Sequence, residues 1–458
     1  MKSFAKTLKL LLVFLITFPY LGFAQSDEEL KNIIASVNKQ RIVTTISTLC
    51  SSGSRVVGYP GNKAAARYIE KEFRSIGLQN VHSEEFQLVA PIDKGAEIFL
   101  PSEGKKLALY CLWPNFVRTP TVPPEGISGN LIYVKQGRWS DFNGKQVENS
   151  IVLMDFESGT NFLNARLLGA KAVIFLPTKN ILRAEAERKF LRLPVNIPRF
   201  WISSQDGELL LTLLQKRKSV PVNLKAKMDW EKVVTRNIFG FIEGNDPKYK
   251  DQIIIVEAYY DAMSVVPALA TGADQASGIA ALLEIARTFS KRVHPRRSIM
   301  FMAASGHFMA LAGVDDFVQK HARKKRIFRQ RIKTPINFHL FLGLDLSSHN
   351  SQLGTFYTGA FYNPTLSLNI SDEYYRFRYF VPFGKRMATY AKSFSQLANE
   401  NVDDVFINSI SPTKGRSWRN YFSGTLFAFD AEIVTHCGNP GLALITLNDV
   451  RTAWGYTY

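Results

Sequence analysis

An α/β fold with a mainly parallel central sheet flanked by helices is predicted by the second half of the chain. A separate, mostly β lobe is predicted by the stretch that interrupts the first half. Three observations carry this. Gln252 to Ala258, QIIIVEA, is a continuous apolar run of the kind that forms a central strand covered on both faces. Helical and strand-like segments then alternate through GIAALLEIARTFS, SIMFMAA, the stretch from Leu311 to His321, and FHLFLGLD, which calls for parallel strands joined by crossover helices. From Lys94 to Lys232 the texture changes to short strand-like pieces separated by Pro and Gly, as in TPTVPPEGISGNLIYVKQG.

Taken in order, the chain opens with MKSFAKTLKLLLVFLITFPYLGFAQS, whose Lys-bearing start, apolar stretch from Leu10 to Phe23 and small residues Gly22 and Ala24 read as a secretory signal cleaved after Ala24. A membrane anchor fits less well, because Pro19 interrupts the run and it falls short of the roughly 20 residues a span needs. The mature protein is therefore expected beyond the inner membrane, periplasmic or extracellular. Residues 25–93 and 233–458 are assigned to the α/β domain, and 94–232 to the insert.

DEELKNIIASVNKQRIVTTISTL has acidic residues at its start and apolar residues at helical spacing, so one helix is expected there. GNKAAARYIEKEFRSIGL sets Ala65, Ile69, Phe73 and Ile76 on one helical face and ends at Gly77, suited to the left-handed position that closes a helix. NVHSEEFQLVA alternates as a strand. Inside the insert, SIVLMDFESGTNFLNARLLGAKAVIFLP reads as strand, helix and strand, with Gly169 at the turn into the second strand. Near the end, RMATYAKSFSQLAN and LALITL add a helix and a strand.

Composition narrows the class. Hydrophobic residues make up 46% of 458, enough for real cores and against a disordered chain. Cys50, Cys111 and Cys437 are the only cysteines, so disulfides are not the main source of stability, although one bridge and one free thiol are allowed. The formal charge of +18 is densest from Lys320 to Lys333, KHARKKRIFRQRIK, which is either a solvated helix end or a contact for an anionic surface. No aromatic-interleaved basic motif points to nucleic acid. SGHF and SGSR lack the Gly-x-Ser-x-Gly elbow of a serine hydrolase, and the glycine spacing is wrong for a dinucleotide site.

The strand ends carry the chemistry, because ligands of open α/β sheets gather outside the carboxyl ends of the strands. YYDAM follows the first strand, TGADQASG precedes the first helix, SGHF follows the second strand and LDLSSHN the third. This ordered set resembles the co-catalytic zinc aminopeptidase family, the group that includes the transferrin receptor ectodomain, nicastrin and glutaminyl cyclase. SRVVGYPGNKAAARYIEKEF is similar to the family's N-terminal helix, and the 94–232 insert to its protease-associated domain. TGADQASGIAALLEIAR is the most specific stretch.

The resemblance implies two metal ions held by His, a bridging Asp, Glu, a second Asp and a final His, with a further Glu as general base. Asp274 matches the bridging aspartate and Asp345 the second one. The first His is replaced by Tyr259. The adjacent base and ligand glutamates align with His307 and Phe308, with Gly313 fixing the register. TLNDVRTAWGYTY, where the last His belongs, has none; that ligand is expected to be absent or to lie past Tyr458. Phe308 offers no lone pair, and Tyr259 is a poor ligand at neutral pH because a phenol titrates near 10.

His307 has three readings: a base in the glutamate's slot, a ligand of one zinc together with Asp274 and Asp345, or a histidine hydrogen-bonded at a strand end. For Asp274 and Asp345 the alternative to metal binding is capping of backbone N–H groups. His294, His349 and His436 have no partner pattern. The expectation is a non-catalytic pseudo-peptidase without a cofactor, acting in envelope assembly or binding a peptide or protein partner in the former cleft. The competing expectation is an active aminopeptidase or cyclase with a single zinc.

Overall fold

The computed structural model describes residues 28, 32, 33, 35–178, 183–190, 193, 195–322, 326, 327, 330, 331, 336–348, 352–356, 386, 389, 392, 393, 396, 406–408, 428–437 and 439–447. The expected signal segment, His349, half of the Lys320 to Lys333 run, most of RMATYAKSFSQLAN and the stretch after Leu447 lie outside them. The chain forms two compact units, one of residues 1–88, 234–262 and 271–458, the other of 89–233 and 263–270.

The first unit begins with α1 (Lys39–Cys50) and α2 (Pro60–Ile76). The single helix expected from Asp27 onward is broken before Lys39. Asn38 is extended, accepts from the Arg41 N–H, and gives its own N–H to Glu284, so it caps a new helix instead of continuing the old one. In α2 the proline sits at the start, where its missing N–H costs nothing, and Gly77 closes the helix at φ 86°. Ala65, Ile69, Phe73 and Ile76 are all buried, as their spacing requires.

β1 (Gln79–Leu100) runs on into the second unit. There its end pairs with β2 (Lys105–Cys111), and the sheet continues through β3 (Ile127–Tyr133), β4 (Ile151–Asp155), β5 (Ala172–Leu176) and β6 (Arg199–Ile202) to the first part of β7 (Val220–Ile242). The order is β1-β2-β6-β5-β4-β3-β7, with β3, β4, β5 and β6 parallel. Helices such as α3 (Phe162–Leu167) and α4 (Ser204–Lys216) join these strands, so the insert is itself an α/β layer with antiparallel edges. Residues 263–270, read from sequence as part of the α/β domain, belong here: Trp113 donates to the Val265 carbonyl at 2.7 Å, and Val265 and Val266 are buried in this core.

Back in the first unit, β7 ends against β9 (Ile299–Ala304), which lies beside β8 (Ile253–Tyr259). Next come β10 (Phe338–Asp345), β13 (Gly441–Leu447), β11 (Gln352–Phe356) and β12 (Phe406–Asn408). β9, β8, β10 and β13 are parallel, so Tyr259, Ala304 and Asp345 end on one edge of the sheet. The side chains of β8 alternate between two cores: Ile254, Val256 and Ala258 meet α1, α2 and α5 (Ser277–Arg292), while Ile255 faces α6 (Ala312–Phe317) and α7 (Asp430–His436). This double cover explains the uninterrupted apolar run.

The helix expected from Leu311 to His321 starts at Ala312, after two left-handed residues, Ala310 and Leu311, and finishes as a π-helical turn over Val318–Ala322. Gly313 is required by contact: a Cβ there would lie 2.1 Å from the Ser305 carbonyl oxygen. Cys50 and Cys111 are free thiols and form no bridge with one another. No helix among the described residues is long and apolar enough to cross a membrane.

Candidate functional site

The carboxyl edge of β8, β9 and β10 collects the residues singled out by sequence. Asp274 lies in a tight turn just before α5. Its Oδ1 accepts from the backbone N–H and hydroxyl of Ser348, and its Oδ2 from the Ser347 hydroxyl, each at 2.7 Å. Asp345, at the end of β10, accepts from the Tyr259 hydroxyl at 2.9 Å. Tyr259 therefore presents a phenol that is already donating.

His307 is buried beside them, 6% exposed, with its ring stacked on Tyr259 at 4.0 Å between centroids. Its Nδ1 is 2.6 Å from Asp430 Oδ2. Phe308 meets both rings edge-on, at 5.4 Å from Tyr259 and 4.8 Å from His307. Tyr259, His307 and Phe308 thus form one packed aromatic group. His294 and His436 are exposed.

Three carboxyl groups complete the site, and sequence reading assigned none of them a role. Asp261, the acid of YYDAM, accepts the backbone N–H groups of His307 and Phe308 at 3.2 and 3.3 Å, which fixes the loop after β9. Asp430 opens α7 and pairs with His307, while its Oδ1 has no hydrogen-bond partner among the described residues. Glu257 lies inside β8 and is 1% exposed, with Oε1 likewise unpartnered. The available signal for Glu257 was a lone carboxylate in the apolar run QIIIVEA. Asp430 had none, since pairing with His307 spans 123 positions of sequence.

The electrostatics follow from burial. Desolvation alone would lower the His307 pKa, but the charge and hydrogen bond of Asp430, with help from Asp345 and Asp261, raise it to about 9. The ring is therefore an imidazolium at neutral pH. Burial raises Asp261 to about 6, against the opposing pull of His307 and of its two N–H donors. Burial together with Asp430, Asp345 and Asp261 pushes Glu257 well above the usual carboxylate range. Behind the site, the buried Arg55 guanidinium donates to the carbonyls of Thr271, Tyr260 and Gly272, tying the end of β8 to the turn that carries Asp274. Among the described residues no three His, Cys, Asp or Glu side chains form a ready-made metal group.

Residues 237–377 match the model of Peptidase family M28. The fold agrees. It superposes on a zinc aminopeptidase from Bacillus subtilis with a TM-score of 0.52 at 20% identity, over 92% of this chain and 88% of that one. It superposes on a Peptidase M28 precursor from Shewanella amazonensis SB2B with a TM-score of 0.54 at 14% identity, over 94% and 89% of the two chains. Among curated proteins, the BOS complex subunit NCLN of Canis lupus familiaris is 40% identical over 91 residues, and that of Homo sapiens 38% over 91. Each match spans 19% of this chain and 16% of the relative's length.

Proposed function

We propose that this metallopeptidase-fold chain is an exported pseudo-peptidase, which holds a peptide or protein partner at the old strand-end cleft or serves as a subunit of an envelope assembly. One observation carries the reading: a buried His307–Asp430 pair, stacked on Tyr259 and walled by Phe308, stands where metal ligands and the general base would be. A zinc pair needs several anionic or imidazole donors and an open position for hydroxide. This donor set does not fit one. Tyr259 donates its proton to Asp345, Phe308 has no lone pair, and both oxygens of Asp274 accept from Ser347 and Ser348. Fold alone does not carry activity, so the peptidase reaction is not inherited with it. The assembly role draws support from the BOS complex subunit, which shares a stretch of this chain and is by name a component of a larger body.

The competing reading is a single zinc on Asp274, His307 and Asp345. Tag-free mature protein, beginning at Gln25 if the leader is removed as expected, is assayed for zinc and for release of amino acids from peptides. The proposal expects no hydrolysis and no zinc that depends on Asp274. Zinc lost in Asp274→Ala together with amino acid release would overturn it.

A further inference from the structure

We infer that the amino edge of the parallel strands in the first unit, opposite the strand-end cleft, carries an oxyanion site in which Arg297 and Arg386, together with His339, take a phosphate group. Three strands begin at that edge: β8 at Ile253, β9 at Ile299 and β10 at Phe338. Arg297 comes two residues before β9. His339 is the second residue of β10, where the pairing with β8 slips between Phe338 and Leu340. An irregularity of this kind re-aims a side chain relative to the regular ladder. Tyr249, just before β8, has its ring centre 4.7 Å from the guanidinium carbons of both Arg296 and Arg297, which holds the two cations against one ring.

The positive charge gathered there is not balanced. Arg296 is neutralised, since its Nε and Nη2 donate to Asp246 Oδ2 at 2.8 and 2.6 Å. Arg297 is only 9% exposed, yet it gives just Nε, at 3.1 Å, to the neutral amide oxygen of Gln252, and its terminal nitrogens donate to no described residue. Asp246, the carboxylate whose charge acts on Arg297, is the one that Arg296 already holds. Arg386 Nε is buried with no hydrogen-bond partner among the described residues. Burying a charge is expensive unless it is paired, and like charges kept together repel as well. Burial, with Arg297 and Arg386 acting in the same direction, pushes His339 down to about 4, so both guanidiniums lie within electrostatic reach of one imidazole.

A multiply charged oxyanion answers this imbalance. Planar guanidiniums donate in parallel pairs to the oxygens of carboxylates and phosphates. A single carboxylate brings one charge and leaves one arginine unbalanced, whereas a phosphate monoester carries about −1.5 to −2 at neutral pH and offers three acceptor oxygens. That matches the two guanidiniums in charge and in donors, and it offsets the field that both exert on His339. Lys248, with Nζ 5.3 Å from the centre of the Tyr249 ring, adds a further cation next to Arg297. Free phosphate and the phosphate of a lipid headgroup share this chemistry. No residue of the site belongs to the cleft built by His307, Asp430, Asp274 and Asp345.

The test uses the full mature chain, its histidines labelled for NMR, titrated with sodium phosphate at constant ionic strength; the His339 signal is identified by its loss in His339→Gln. Saturable binding is expected, with the His339 pKa moving from about 4 toward its ordinary 6.5, because an anion beside the ring favours the imidazolium. Affinity should fall more than about tenfold in Arg297→Gln and in Arg386→Gln, and stay unchanged in Asp274→Ala. Arg386 is a helical residue outside the sheet, so its variant reports even if Arg297→Gln does not fold. Sedimentation with phosphatidylcholine vesicles, with and without phosphatidic acid, separates the two sources. Binding that needs phosphatidic acid and is lost in Arg386→Gln assigns the group to a headgroup, and binding in solution alone assigns it to free phosphate. No saturable binding in either arm, a His339 that does not respond, or unchanged affinity in Arg386→Gln overturns the inference and leaves the pseudo-peptidase reading untouched.

Discussion

Replacing His307 with Gln removes the imidazolium that lies between Asp430 and Asp261 while keeping a polar side chain of similar reach. The wild-type ring titrates at about 9 instead of 6.5, a difference that corresponds to about 3 kcal/mol in favour of the folded, charged form. That agrees with the ~3–5 kcal/mol lost when one partner of a buried ion pair is removed and the other charge is stranded. Because the folded state holds this proton more tightly than the unfolded one, the contribution is complete below pH 6.5 and disappears as pH rises to about 9. Asp261 acts in the same direction for another reason: burial lifts it from 3.8 to about 6, so folding is favoured at the acid end of that interval and weakened at the other. Urea unfolding of wild type, followed by tryptophan fluorescence at a series of pH values, should therefore show stability falling across both windows. In His307→Gln the protein should be about 3 kcal/mol weaker near pH 6, and the decline between 6.5 and 9 should be gone. A variant that keeps the wild-type slope in that upper window would refute the assignment of the charge to His307.

Three further perturbations probe how the site is held. Gly278→Ala at the start of α5 would set a Cβ 2.6 Å from the Leu344 carbonyl oxygen, a backbone atom with little freedom to retreat; a loss of about 1–3 kcal/mol is expected, read as a lower thermal midpoint. Arg55→Met leaves the carbonyls of Thr271, Tyr260 and Gly272 without their buried donor. Because the Gly272 carbonyl keeps the Ala276 N–H and the Thr271 carbonyl keeps the Cys50 thiol, a loss of about 1–3 kcal/mol is expected, mainly from the Tyr260 carbonyl, with faster amide exchange over 271–276. Asn38→Ala should cost about 1 kcal/mol and fray α1, visible as reduced amide protection at Arg41 and Ile42.

Periodicity in the sequence determined the main elements of the fold. The unbroken apolar run of β8, the amphipathic face of α2 and the alternation of strands with helices each depend on neighbours close in sequence, and each element formed where its pattern placed it. The order of the strand-end motifs was legible for the same reason, which brought Tyr259, Asp274, His307, Phe308 and Asp345 under consideration. Pattern was silent about which side chains satisfy one another across long separations. That His307 is an imidazolium depends on Asp430, far along the chain, and that Tyr259 is a donor depends on Asp345. The break before α1 was settled by Glu284, which takes the Asn38 N–H from far along the chain. A residue's type fixes its donors and acceptors, but burial and the partner brought to it by the tertiary fold decide which charge state it keeps, and at this strand edge that decides the chemistry.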